Sequence, residues 1–221
     1  MKEITKTYAV YNYDELSEKA QEKVKEKARE ELVEIRCDNL PWDLRDYLEN
    51  TWNLVLAKEE LFYSLSYSQG DGACFEMDSL FDERRLRNYF NGETSIKDLN
   101  PFEELVAKEL SFEDQKSLME YLGAGYVVSV EKTYWQYEHS KTCSFQWGWY
   151  RNNDLAVEEK INEVVDRLFS NNALFRERYE EICNAIETIG YEIIDPSEDE
   201  IENYIEESEC VFLEDGSIFS E

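Results

Sequence analysis

The sequence predicts an α+β protein in which an antiparallel sheet, made of two hairpins plus an N-terminal strand, is covered by helices. Runs of alternating apolar and polar residues with turn residues between them, at 61–77 and 126–149, are typical of β-hairpins. Apolar residues spaced three and four apart, at 16–35 and 161–186, are typical of amphipathic helices. No internal repeat or flexible linker separates these segments, so we expect a single α+β domain over residues 1–221.

The first part of the chain predicts a strand followed by helix. Residues 3–10 are rich in β-branched side chains, which favours a strand. Asp14 opens a helix whose apolar stripe extends over 16–35. Asn39-Leu40-Pro41 then predicts a stop and a restart, because proline favours the first turn of a helix, and the second helix continues to about Asn53.

The middle of the chain predicts the first hairpin and several short helices. Residues 61–68 and 73–77 form the hairpin, with Gly70 and Gly72 supplying positive φ in a tight turn. Helical pieces fill 81–122, with starts and breaks at Asn91-Gly92, Pro101, Ser111 and Gly123-Ala124-Gly125.

The last part predicts the second hairpin and the longest helix. The hairpin pairs 126–137 with 142–149, and the helix extends from Asp154 to about Thr188, with an interruption at Asn171-Asn172. The chain then closes with a short strand, a short acidic helix and a terminal hairpin, at 191–194, 197–207 and 211–219.

The composition is strongly acidic, with 23 Lys and Arg against 51 Asp and Glu and a formal net charge of −28. This charge disfavours direct binding to nucleic acids and to anionic membranes, because both kinds of binding depend on Lys and Arg side chains. No apolar run is long enough to span a bilayer, and the N-terminus lacks the apolar core of a signal peptide. We therefore expect a cytoplasmic protein. Its five cysteines are expected to be reduced, because the count is odd and no C-x-x-C pair occurs.

Three segments resemble a family of uncharacterised bacteriophage and prophage proteins, some of which are described as antitoxin-like. They are the N-terminal segment with ELSEKA, the hairpin SYSQGDGACF, and the acidic C-terminus that leads into FLEDG. The resemblance implies a phage-encoded protein that acts in a bacterial cytoplasm. It implies no reaction and no catalytic residues.

The residues themselves do not predict a catalytic site. His139 is the one histidine and falls in a hairpin turn, and Cys74 lies in a strand–turn–strand rather than at a strand–turn–helix elbow. The acids between Asp195 and Glu202 lack the central glycine of an EF-hand loop, and no phosphate-binding glycine loop occurs. We expect no enzyme, no metal and no cofactor. A metal-dependent hydrolase acting on a nucleotide or nucleic acid stays open, as does an antitoxin-like partner of a small basic toxin.

The acidic residues concentrate towards the C-terminus. Residues 192–221 contain twelve Asp and Glu and no base, and 151–221 contain 5 bases against 21 acids, a net charge of −16. Glu198, Glu202 and Glu206 share one helical face, where neighbours lie about 5–6 Å apart and each like-charge pair costs roughly 0.2–0.5 kcal/mol. Phosphates along one DNA strand lie roughly 6–7 Å apart, so such a face can imitate DNA.

These observations predict a non-catalytic inhibitor that binds a basic, nucleic-acid-handling host defence protein, such as a CRISPR effector or a restriction enzyme. Aromatic residues of the second hairpin would add anchors at the interface. The sequence leaves a homodimer open. The expected partner-binding residues are acids of two helices and two aromatic residues, namely Glu159, Glu163, Asp166, Glu198, Asp199, Glu202, Glu206, Glu207, Glu209, Trp135 and Tyr137.

Overall fold

The structure is a computed structural model that describes residues 7–67, 71–134, 137–149, 159–170 and 173–219. The chain divides into two compact units. The terminal unit contains Met1–Leu40 and Tyr191–Glu221, and the central unit contains Pro41–Gly190. Helices and antiparallel strands together confirm the predicted α+β class. The expectation of a single domain over residues 1–221 stays a prediction.

The described residues form seven α-helices and four strands. The helices are α1 (Glu18–Trp52), α2 (Glu83–Phe90), α3 (Pro101–Glu109), α4 (Phe112–Gly123), α5 (Glu159–Ser170), α6 (Ala173–Ile194) and α7 (Glu198–Glu207). The strands are β1 (Leu61–Ser64), β2 (Gly72–Phe75), β3 (Tyr126–Lys132) and β4 (Cys143–Trp149). None of the described helices combines the length and the apolar character that crossing a membrane requires.

The two predicted hairpins are confirmed, but each forms its own two-stranded antiparallel sheet. β1 pairs with β2 and β3 pairs with β4, and a bridge between Met77 and Val130 adds two backbone hydrogen bonds between the hairpins. The predicted N-terminal strand is wrong over residues 7–10, while residues 3–6 lie outside the described part. Only a single bridge, between Tyr11 and Phe212, forms next to it.

The predicted break at Asn39-Leu40-Pro41 is wrong, because α1 is continuous through Pro41. A proline inside a helix loses one backbone hydrogen bond and costs about 3 kcal/mol. Burial of Leu40, Leu44 and Leu48, which are at most 2% exposed, offsets this cost, since burying a leucine side chain contributes about 1.5–3 kcal/mol. Tertiary packing therefore overrides the local signal.

The predicted strand at 191–194 is also wrong, because these residues form the last turn of α6. Gly190 lies inside this helix, where a Cβ would approach Leu65 Cδ1 to 2.5 Å. Close packing therefore explains a glycine that sequence rules treat as a break. The predicted interruption at 171–172 lies outside the described residues, as does Asp154, and α5 and α6 are separate helices on either side of it.

Buried polar contacts organise the core of the central unit. The hydroxyl of Tyr179 on α6 donates to the Phe75 carbonyl at 2.9 Å and accepts from the Phe75 N–H at 3.1 Å. Gly72 is explained by close approach rather than by its turn, because a Cβ there would lie 2.6 Å from the Glu138 carbonyl oxygen. Gly70 lies outside the described residues.

The terminal unit has its own apolar core. Its buried residues come from the N-terminal part of the chain, from α7 and from the C-terminal turn, and are Leu16, Ala20, Val24, Ala28, Ile201, Ile205 and Phe212. The predicted terminal hairpin is reduced to one bridge, between Phe212 and Ile218, around the expected turn at 214–216. This core holds α7 against the first half of α1.

Replacing Gly216 with alanine is expected to destabilise the terminal unit by about 1–3 kcal/mol. Gly216 has φ +81°, and a Cβ there would lie 2.6 Å from the Ala20 carbonyl oxygen. Gly92→Ala is the matched control, because Gly92 has φ +76° but open space around a Cβ. Chemical denaturation of both variants should show the larger loss for Gly216→Ala, and equal losses would contradict the close approach.

Candidate acidic interface

The short acidic helix α7 begins at a capping box. Ser197 Oγ accepts a hydrogen bond from the Glu200 N–H, and Glu200 accepts from the Ser197 N–H at 2.8 Å and from its hydroxyl at 2.7 Å. Ile201 and Ile205 are buried, which fixes the rotation of the helix about its axis. The remaining faces of α7 are therefore held in defined directions.

One edge of α7 forms ion pairs with α1. Glu202 lies 2.5 Å from Lys25 Nζ, and Glu198 contacts both Lys25, at 3.6 Å, and Arg29. Glu200 lies 2.6 Å from Arg36. Exposed pairs of this kind each contribute about 0–1 kcal/mol. The charges of Glu198 and Glu202, two of the predicted partner-binding residues, are thus partly neutralised within the chain.

The outward face of α7 keeps its charge. Within the described residues, no ion pair involves the other four predicted acids of this region, which are all exposed: Asp199, Glu206, Glu207 and Glu209. The predicted array therefore separates into a paired edge and an unpaired face.

A second acidic feature lies on α1, where the sequence analysis did not place one. We define the acidic ridge as six exposed carboxylates at four-residue spacing, namely Glu18, Glu22, Glu26, Glu30, Glu34 and Asp38. No ion pair among the described residues involves any of them. The ridge was missed because the bases and acids of this helix nearly balance. The four-residue period of the acids was the signal that could have revealed it.

The acidic ridge points away from the core of the terminal unit. Each of the first five ridge residues follows a position of the apolar stripe by two residues, as Glu22 follows Ala20 and Glu26 follows Val24, which is a rotation of about 200° on a helix. The sixth, Asp38, follows Arg36. Successive ridge residues rise by about 6 Å, and the ridge spans about 30 Å. Its five neighbouring pairs cost roughly 1–2.5 kcal/mol in repulsion.

Five basic residues of α1 pair with acids that lie outside the acidic ridge. Lys25, Arg29 and Arg36 reach the acids of α7, and Lys23 lies 3.2 Å from Asp215 in the C-terminal turn. Lys27 pairs with Glu31, which is not part of the ridge. The ion pairs of these five bases thus go to acids outside the ridge, whereas Lys19, which is exposed and lies between Glu18 and Glu22 on the same helix, is in none of these pairs.

Protonation of Glu200 is expected to weaken the start of α7. Hydrogen bonds from the Ser197 N–H and hydroxyl, followed by Arg36, lower the pKa of Glu200 from 4.5 to about 2. Its stabilising contribution is therefore complete above pH 4.5 and is lost as the pH falls through about 2. An NMR titration of the Glu200 carboxyl should give a midpoint near 2, whereas a midpoint near 4.5 would contradict the capping box.

The predicted acids of α5 belong to the central unit. Glu159, Glu163 and Asp166 are exposed and lie at helical spacings of four and three residues. Asp166 accepts a hydrogen bond from Trp147 Nε1, so one of its carboxylate oxygens already has a hydrogen-bond partner within the unit. The residues predicted as one array are therefore divided between two units, which are described separately.

One of the two predicted aromatic anchors, Tyr137, is exposed at the end of the second hairpin. Tyr137 is 48% exposed, and its ring stacks against Tyr134 with centroids 6.4 Å apart. Trp135 lies outside the described residues. The exposed tyrosine pair is compatible with a contact surface at the end of the second hairpin.

The residues considered for catalysis have structural contacts. His139 Nδ1 accepts a hydrogen bond from the Lys141 N–H at 3.1 Å and so caps a short turn. The Cys74 side chain is fully buried. Within the described residues, no group of three or more His, Cys, Asp and Glu side chains is placed to hold a metal ion.

Comparison with known proteins gives one match. Residues 48–189, nearly two thirds of the chain, match the domain of unknown function DUF8835. The chain belongs to this family. The DUF8835 segment nearly coincides with the central unit, residues 41–190. No curated protein and no solved structure matches the chain.

The position of the DUF8835 segment separates the two groups of acids. The acids of α5 and the second hairpin lie inside it, whereas the acidic ridge and α7 lie outside it. In this DUF8835 protein, the terminal unit is thus built from segments on both sides of the family domain. Residues 1–40 and 191–221 together contain 8 bases and 22 acids, a net charge of −14.

Proposed function

We propose that this protein is a non-catalytic inhibitor whose terminal unit binds a basic, nucleic-acid-handling protein through carboxylates. In the phage setting that the sequence resemblance implies, the partner is a host defence protein such as a CRISPR effector or a restriction enzyme. The observation that carries the proposal is the acidic ridge, because its six exposed carboxylates are unpaired among the described residues and stand on a continuous helix.

The arrangement of the ridge supports mimicry of a nucleic-acid backbone. A helix fixes the spacing of the carboxylates at about 6 Å, close to the separation of phosphates along one strand. Because the helix is formed before binding, no backbone has to be ordered when a basic groove meets these carboxylates. Electrostatic complementarity also accelerates encounter with a cationic partner.

The internal ion pairs supply the rigidity that this mechanism needs. α7 and the C-terminal turn hold α1 through Lys23, Lys25 and Arg29, together with the apolar core. Without these ion pairs, the basic side chains would be free to approach the ridge carboxylates and weaken their negative electrostatic potential. The outward acids of α7 add negative charge to the same unit.

A pull-down tests the proposal directly. The full chain serves as bait for purified CRISPR effectors and restriction enzymes after nuclease treatment, which removes nucleic-acid bridges. We expect capture of a nucleic-acid-binding protein, and we expect duplex DNA to displace the bait from it. Glu22→Gln, Glu26→Gln and Glu30→Gln in one variant should weaken capture roughly 3- to 150-fold, at about 0.2–1 kcal/mol for each lost charge pair.

The matched control removes the same charge elsewhere. Glu93, Glu109 and Glu113 of the central unit are exposed and have no ion pair among the described residues, and their triple change to Gln should leave capture intact. Equal capture by the ridge variant and the control would contradict a role for the ridge. Capture of a small basic toxin instead would favour the antitoxin-like alternative.

A further inference from the structure

Two buried thiols of the central unit lie in contact although they belong to different hairpins. Cys74 is on β2 and Cys143 begins β4, and they are 0% and 3% exposed. Their side chains are hydrogen-bond partners. Thr142 Oγ1, in the residue before Cys143, donates to Cys74 Sγ at 3.7 Å, which fixes the two segments against each other.

The surroundings give the two sulfurs different roles. The hydrogen bond from Cys74 lowers the pKa of the Cys143 thiol, which favours its thiolate, and the thiolate is the reactive form. Hydrogen bonding to Cys143 and burial raise the pKa of Cys74, which keeps its proton. Glu138 Oε2, which is ion-paired with Lys132, lies 3.9 Å from Cys74 Sγ and is placed to accept that proton.

A surface groove gives a small reagent access to this region. Cys143 is among its lining residues, together with Phe145, Phe169 and Arg176. Arg176 donates a hydrogen bond to the Cys143 carbonyl at 2.9 Å, which places a cation beside the start of β4. Because Cys143 lines the groove but is only 3% exposed, a reagent as small as hydrogen peroxide can approach this residue where a protein thiol cannot.

We propose that Cys74 and Cys143 form a disulfide when the protein meets a peroxide. The Cys143 thiolate attacks one peroxide oxygen, the O–O bond breaks, and hydroxide leaves and takes up a proton to become water. Cys143 is then a sulfenic acid. Cys74 gives its proton to Glu138 and attacks the Cys143 sulfur. The S–O bond breaks, and hydroxide leaves as a second water. Two thiols have lost two electrons and two protons, and the peroxide has been reduced to two waters.

Peptide mapping tests this site on the full chain. Cys37 is exposed and Cys210 is half-buried, so both are changed to serine to leave only the three buried thiols. After hydrogen peroxide treatment, the protein is unfolded in denaturant that contains an alkylating reagent, which blocks the remaining free thiols. It is then analysed without reduction. We expect an intact mass lower by two hydrogens before alkylation, and a cross-linked peptide pair that contains Cys74 and Cys143. Dithiothreitol should reverse both changes.

Other products would overturn the assignment. These are a Cys143–Cys183 cross-link, Cys143 oxidised to sulfinic acid while Cys74 is alkylated, or full alkylation of all three thiols under conditions that oxidise Cys37 in the wild-type chain. Cys183→Ser is the matched control and should leave the Cys74–Cys143 cross-link unchanged. The same peptide map on the wild-type chain repeats the test without substitutions.

Discussion

Replacing Glu22, Glu26 and Glu30 together with lysine is expected to weaken binding to the basic partner by more than about 100-fold. Reversal places cations opposite the cationic groove of the partner, and like-charge juxtaposition of this kind costs several kcal/mol, where each 1.4 kcal/mol is a factor of ten. Titration calorimetry with the captured partner measures the change in Kd.

The fold should tolerate this reversal. The three side chains are exposed, and none is in an ion pair among the described residues. Because the reversal turns the repulsion with Glu18 and Glu34 into attraction, we expect the free energy of unfolding not to fall. The same change to lysine at Asp199, Glu206 and Glu207 measures how much the outward face of α7 contributes to the binding affinity. If the ridge variant binds as tightly as the wild type while the α7 variant does not, the interface belongs to α7 instead.

Replacing Glu103 with alanine is expected to destabilise the central unit by about 2–4 kcal/mol. Glu103 is fully buried, and its carboxylate accepts hydrogen bonds from the Asp82 N–H, the Asn100 N–H and the Arg85 guanidinium, at 2.6–3.0 Å. Its removal leaves these donors without a partner, which is why breaking a buried pair is costly. The cost stays moderate because the Arg85 side chain is 34% exposed and reaches water.

Glu104→Ala is the matched control for Glu103. Glu104 is the next residue of α3, but its pair with Lys108 is partly exposed, so its loss should cost no more than about 1 kcal/mol. Urea denaturation of both variants gives the comparison. Similar losses for the two neighbouring glutamates would contradict the buried network around Glu103.

Local signals predict several helix starts but not the first one, since Asp14 lies in a 3-10 turn at Tyr13–Glu15 and α1 begins at Glu18. Ser111 is predicted as a start, and in the structure it accepts a hydrogen bond from the third residue of α4. Pro101 likewise begins α3, with Asn100 as its cap. These features depend only on residues within one turn, so the sequence contains all the information that they need.

Features that depend on distant packing could not be predicted. Pro41 stays in a helix because leucines on either side of it are buried, and Gly190 stays in one because Leu65 packs against its backbone. Similarly, Gly72 is needed where the Glu138 carbonyl approaches. In each case, the partner is distant in the sequence, and the local preference of the residue points elsewhere.

The acidic surface was predicted only in part for a related reason. A count of charged residues along the sequence identifies a C-terminal segment without Lys or Arg. Four acids of that segment are exposed and unpaired among the described residues. The count could not show that the bases of α1 turn towards α7. This pairing, through Lys25 and Arg29, leaves the acidic ridge as a second unpaired charged face of the terminal unit, beside the outward face of α7.

The salt dependence of Kd for the captured partner tests the central claim most directly. We expect Kd to rise between about 50 and 200 mM salt, because salt screens the attraction between the carboxylates of the ridge and the cationic groove of the partner. The variant with Glu22, Glu26 and Glu30 changed to Gln should show a shallower slope. A Kd that does not change with salt, or an equal slope for the wild type and this variant, would contradict binding through the acidic ridge.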